Sequence, residues 1–170
     1  MKKSLLLILL FLNVKICSAQ KFAYVDSKYI LEKIPAYLEA KEELDNLSFK
    51  WAEEIESLYE NIDKMYKKYQ IDKLLLTQKM KQTREDEIIK AEEDVKLIQQ
   101  TKFGPEGELY KKQEELIRPI QNQIYDAINQ YAKDGRYSII FDKSSELLML
   151  YTDKNLDKSD QILEILGYNY

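Results

Sequence analysis

The sequence predicts a mainly α protein with a small β body. In that fold a long antiparallel helical hairpin, a coiled-coil-like arm, projects from a small oligomeric β/α hub. Three observations carry this prediction. Apolar residues recur every three or four positions from Tyr37 to Tyr69 and again from Leu116 to Tyr131, the spacing of one face of an α-helix. The intervening positions are polar, with 33% of the chain charged, as on the solvated side of long helices. The two ends, KFAYVD at 21–26 and YSIIFDKSSELLMLY at 137–151, are rich in β-branched and aromatic residues instead and read as short strands.

The chain opens with MKKSLLLILLFLNVKICSAQ. Two lysines, an apolar run from Leu5 to Leu12 and the small residues Cys17-Ser18-Ala19 read as a cleaved secretory signal peptide over 1–19. The run is too short for a membrane span. Cys17 as a lipid-bearing residue is the alternative, and Lys15 and Ile16 directly before it speak against that. Cleavage removes the single cysteine, so stability has to come from packing or association without disulfides. It also removes three lysines and no acid, leaving 23 basic against 30 acidic side chains, a net charge of −7. So acidic a chain has no net attraction for nucleic acid.

The chain has no histidine, which removes the usual general base, the histidine triads and the commonest zinc ligand. Its four glycines are too scattered to cradle a phosphate,. The 30 acidic residues are spread over helical faces, as solvated charge is. The expectation is therefore a non-enzymatic protein with no catalytic residues, no cofactor and no metal.

In chain order, KFAYVD forms the first strand and Ser27 caps a short helical turn. Pro35 then starts the main helix. Its apolar positions are Tyr37, Ala40, Leu44, Leu47, Trp51, Ile55, Leu58, Ile62, Met65 and Tyr69. Their mean step of about 3.56 residues lies between a heptad and a straight helix, so little supercoil is expected. Tyr59 and Tyr66 lie on the flank of this stripe, where they either widen the core seam or line a contact surface. Leu74, Leu75 and Leu76 cannot all face one seam, because helical neighbours are about 100° apart. They form either a knot that closes the hairpin or, with Met80, an exposed cluster.

Placing the chain reversal within 72–84 gives arms of about 39 and 50 residues, about 58 and 75 Å long. The excess in the return arm is taken up by a break at FGPEG, 103–107. Reversal at Gly104-Pro105 would instead leave about forty residues of apolar stripe without a partner. The return helix carries Leu109, Leu116, Ile120, Ile124, Ile128 and Tyr131, is expected to kink at Pro119, and ends at a Gly135 cap. The arm thus spans 35–134. The β-rich oligomerisation body comprises 20–34 and 135–170. Within the body, RYSIIFDKS turns near Ser144-Ser145 into a second strand, ELLMLYTD, and SDQILEIL at 159–166 covers one face.

An antiparallel arm returns the chain to its start, so KFAYVD and YSIIFD can share a sheet. Three short strands and one small helix bury too little surface to stand alone, and their open edges invite pairing. Closed association of several copies solves both problems. Val25, Ile139, Ile140, Phe141, Leu148, Met149 and Leu150 are the expected oligomer interface.

The segments FAYVDSKYILEKIPAY, LIRPIQNQIYDAINQYAKDGRYSIIFDKS and LLMLYTDKNLDKSDQILEILG, joined by a long charged hairpin, resemble the Skp (OmpH-like) family of periplasmic chaperones. The resemblance implies a jellyfish-like homotrimer, located in the periplasm, whose arms enclose a cavity. It also implies an ATP-independent holdase for unfolded outer-membrane β-barrel proteins, which passes them toward the barrel-assembly machinery. The expected client-binding residues are Tyr59, Met65, Tyr66, Tyr69, Leu74, Leu75, Leu76 and Met80, since tyrosine and methionine suit adaptable contacts. Better-known members are strongly basic. This acidic chain departs from them, so a lipopolysaccharide site does not carry over. A coiled-coil tether of the envelope is the alternative function, and it would require a lipid anchor or a cell-wall module.

Overall fold

The structure, a computed structural model, describes residues 20–145 and 149–168. The elements in order are β1 (Lys21–Val25), α1 (Ser27–Lys33), α2 (Pro35–Asp72), α3 (Gln78–Phe103), α4 (Glu108–Gly135), β2 (Tyr137–Asp142), a 3-10 turn (Lys154–Leu156) and α5 (Ser159–Ile165). The fold is a long helical arm on a small body with a two-stranded sheet.

The arm begins where Pro35 takes the first position of α2, a place where its missing N–H costs nothing. All ten stripe positions of α2 are buried or half-buried. The chain reverses over Lys73–Thr77, and the Thr77 side chain accepts the Met80 amide at 3.4 Å to start α3. Ile55, Ile62 and Tyr69 of α2 then meet Ile88 and Val95 of α3, with Leu58, Met65, Leu76, Ala91 and Ile98 around them. The seven-residue spacing within each helix is the knob spacing of a paired coil.

The return arm is interrupted between α3 and α4. Gly104 and Gly107 close the break through hydrogen bonds to Gln100 O (2.8 Å) and Gly104 O (2.9 Å), with Glu106 at φ 59°. A Cβ on Gly107 would lie 2.9 Å from the carbonyl oxygens of both Gly104 and Thr101, so only glycine lets the backbone fold this closely. Trp51 holds the break against α2. Phe103 meets its ring edge-on at 6.1 Å, and Lys102 sits 4.5 Å over it while bonding Glu108 at 2.5 Å. Beyond the break, α4 runs through Pro119 without ending.

The body core joins Val25, Ile30, Ile34, Ile120, Ile124, Ala127, Ile162 and Leu163, drawn from β1, α1, α4 and α5. It shares no buried residue with the core of the distal arm. Strands β1 and β2 pair in parallel, Phe22 with Ile139 through Val25 with Asp142. The whole arm serves as the crossover connection that a parallel pair needs. α5 ends in a Schellman turn, with Tyr168 N bonding Leu163 O and Gly167 N bonding Glu164 O, and Gly167 at φ 88°,.

Three local expectations change. The cap of α1 is Asp26, whose side chain accepts the Tyr29 amide at 3.0 Å; Ser27 is the first helical residue and turns its hydroxyl to Asp142. At the end of α4 it is Arg136, not Gly135, that takes the left-handed conformation (φ 54°, ψ 43°). A Cβ on Gly135 would lie 2.4 Å from the Tyr137 ring, so the glycine makes room for that ring. Lastly, the expected second strand of the 137–151 hairpin is not formed by its described residues. After β2 the Asp142 side chain draws back Ser144 N and Oγ (3.0 and 2.8 Å) into a tight turn, and 149–153 carry no strand.

Candidate functional site

Two uncovered apolar surfaces stand out, at opposite ends of the arm. At the tip, Leu74 and Leu75 are 93% and 87% exposed and Ile71 78%. Their neighbour Leu76 packs into the distal core. The triplet is therefore divided: one leucine closes the hairpin and two point to solvent, as the 100° step requires. Met80 is half-exposed beside them.

The other expected client-binding residues separate in the same way. Tyr59 and Tyr66 lie exposed on the flank of the seam, and the Tyr59 hydroxyl faces Gln99 Oε1 at 3.4 Å. Met65 is half-buried against the distal core, and Tyr69 is buried in it with its hydroxyl donating to Glu85. Ile71, Leu74, Leu75 and Met80 are thus all exposed near the reversal, whereas Tyr69 is buried and Leu76 partly buried in the distal core. Ile71 was missed by sequence reasoning. The available signal was its place nine residues after Ile62, on the opposite face of α2.

At the body, Val25 is buried in the core of its own chain and Ile140 packs against it. Ile139 and Phe141, which alternate with Ile140, face outward with Phe22. Met149 is half-buried, whereas Leu150 and the unpredicted Tyr151 are 91% and 86% exposed. Leu148 lies outside the described residues. Behind this edge Tyr131 and Tyr137 stack at 5.4 Å. Burial, with a hydrogen bond to the Tyr137 side chain, raises Tyr131 to about 12.

Among the described residues no cluster of three or more His, Cys, Asp or Glu side chains is arranged to hold a metal, and no helix is long and apolar enough to cross a membrane. The class that the fold defines is a long helical hairpin arm on a small mixed body, with apolar surface uncovered at the arm tip and the body edge. Residues 21–166 match the family model for Outer membrane protein (OmpH-like), and the chain belongs to that family. Its structure is similar to that of a provisionally assigned outer membrane chaperone (OmpH-like) from Caulobacter crescentus. The TM-score is 0.67 at 11% identity, covering 88% of this chain and 85% of the other. No curated protein matches the sequence at a significant level.

Proposed function

We propose that this protein is an ATP-independent periplasmic holdase that binds unfolded outer-membrane proteins between the arms of a homotrimer. The observation that carries the reading is the apolar surface a single chain leaves open at both ends, Leu74 and Leu75 at the tip and Leu150 and Tyr151 at the body. Family membership and the likeness to an OmpH-like chaperone support it.

The physics of the two surfaces differs. The body edge joins a strand with one free side to an uncovered apolar segment, which association of copies would bury. The tip and flank offer separated Leu, Ile, Met and Tyr side chains. Each weak contact is worth about 1 kcal/mol, and several on one tethered chain multiply in effect. Such contacts need no fuel for release, because a client that folds into a bilayer buries the segments it had offered. The protein then hands its client toward barrel assembly.

Two measurements test this together. Sedimentation equilibrium is expected to give three chains per particle, and one trimer per unfolded barrel protein is expected to suppress its light scattering after dilution from urea. A stable monomer at micromolar concentration, or unchanged scattering, removes the proposal.

A further inference from the structure

The break between α3 and α4 keeps the register of the arm to within one residue. From Tyr69 facing Glu85 to Trp51 facing Phe103 the pairing steps 18 residues along each helix. From Trp51–Phe103 to the Glu43–Lys112 ion pair at 3.5 Å it steps eight residues along α2 and nine along the return arm. The break therefore does not take up the greater length of the return arm, and a continuous helix would hold the same register. The packing is also thinnest at this level. Among the described residues, Gly107 is the only buried one between Ala40 and Ile55 on α2 and between Val95 and Ile117 across the break. A single side chain ties all three helices together there. Lys102 leaves α3 to lie 4.5 Å over the ring of Trp51 on α2 and to bond Glu108 on α4 at 2.5 Å, and its side chain is only 23% exposed.

We propose that this break is a hinge in the middle of the arm, at which the tip half swings on the body half, with α2 as the flexing leaf and Lys102 as the latch. α2 crosses the level of the break uninterrupted, and its only proline is Pro35 at its start, so it bends by smooth curvature as long helices do. Bending α2 lengthens or shortens the facing side of the pair. A helix on that side would resist, because each residue is tied to the next turn by a backbone hydrogen bond. The four residues between α3 and α4, two of them glycine, give instead,. With helix axes about 9 Å apart, a bend of roughly 20° changes the span across the break by about 3 Å. α2 runs on for 21 residues past Trp51, about 31 Å, so the same bend carries the tip sideways by about 11 Å. Opening requires Lys102 to leave Trp51 or Glu108. On the holdase reading, and resting on it, the swing sets how large a client the arms enclose.

The test is pulsed dipolar EPR on the chain starting at Gln20, which carries no cysteine of its own. One spin-label pair straddles the break, Lys96→Cys with Tyr110→Cys. A second pair of the same 14-residue spacing lies within α3, Gln82→Cys with Lys96→Cys. All three sites are exposed, and 14 residues of straight helix span about 21 Å. Labelled chains are diluted into unlabelled ones, so that only distances within one chain are read. The straddling pair is expected to give a distance distribution broader than the α3 pair by about 3 Å. Lys102→Gln is expected to broaden or shift it further by a similar amount. Lys102→Arg keeps a cation over Trp51 and opposite Glu108 and is expected to return it to the parent's. Equal widths for the two pairs in the parent would overturn the hinge. A straddling distance that Lys102→Gln leaves unmoved would overturn the latch, and so would an α3 pair that widens with it, since the helix itself would then be lost. Suppression of barrel-protein aggregation is measured separately on the unlabelled parent. An arm that hinges without suppression keeps this inference and loses the holdase reading, and a rigid arm with suppression does the reverse.

Discussion

Ser27 and Asp142, 115 residues apart, are tied by two hydrogen bonds: the Ser27 amide donates to Oδ1 at 3.1 Å and its hydroxyl to Oδ2 at 2.7 Å. The pair fastens the start of α1 to the end of β2, so the entry to the arm and the exit from it share one carboxylate. Partial burial pushes this carboxyl up, but the bonds from Ser27 and Ser144 outweigh it and hold its pKa below the usual carboxylate value. A group depressed in this way adds stability above its unfolded pKa of about 3.9 and loses it as pH falls through the lower folded value. Asp142→Asn is expected to cost roughly 1–2 kcal/mol at pH 7, with the gap to the parent closing below about pH 4. Urea titrations across pH check this; a gap that stays constant into acid would refute the ionic role.

The three adjacent leucines should behave differently. Leu76→Ser removes a side chain from the distal core and is expected to destabilise the arm by about 1–3 kcal/mol. Leu74→Ser with Leu75→Ser alters only exposed positions and should leave thermal unfolding unchanged while weakening aggregation suppression. Equal suppression by the double variant would take these residues out of the client surface.

Gly107→Ala places a methyl 2.9 Å from two backbone oxygens, atoms that cannot swing aside, and is expected to cost about 1–3 kcal/mol. The break should open locally, separating Lys102 and Phe103 from Trp51. Trp51 is the only tryptophan, so its emission reports the break directly. An unshifted spectrum with unchanged stability would show that the glycine is dispensable.

The two cores share no buried residue, so their losses should be separable. Ile162→Ala, at a fully buried position, is expected to cost about 2–5 kcal/mol and to raise amide exchange in β1, α1 and α5. Ile55→Ala should do so along α2 and α3 near residues 55–69 and 88–95. Exchange that rises everywhere in both variants would mean a single cooperative unit instead.

How much of this was legible in the sequence depends on the range of the interaction. The α2 stripe is a local signal: every residue from Tyr37 to Tyr69 that the 3.6-residue period places inward is buried or half-buried, and Tyr59 and Tyr66 lie on its flank. The tip surface was half legible. Three consecutive leucines had to point different ways, but nothing local says which of them turns inward, whereas the outward place of Ile71 followed from its spacing to Ile62. The Trp51–Lys102–Glu108 contact was not legible, since it joins three helices and Lys102 lies 51 positions from Trp51.

The sequence by itself determined a long charged helical arm and apolar chain ends, because helical period, proline placement and turn residues act within a few positions. Only the tertiary structure decided that β1 and β2 run parallel, that Gly135 serves the Tyr137 ring while Arg136 takes the left-handed turn, and that 149–153 stay out of the sheet. The strand pairing depends on which backbone edge arrives through space, and the Gly135 turn on where the neighbouring Tyr137 ring is packed. A residue's own propensity carries no record of a partner that the chain delivers from more than a hundred positions away.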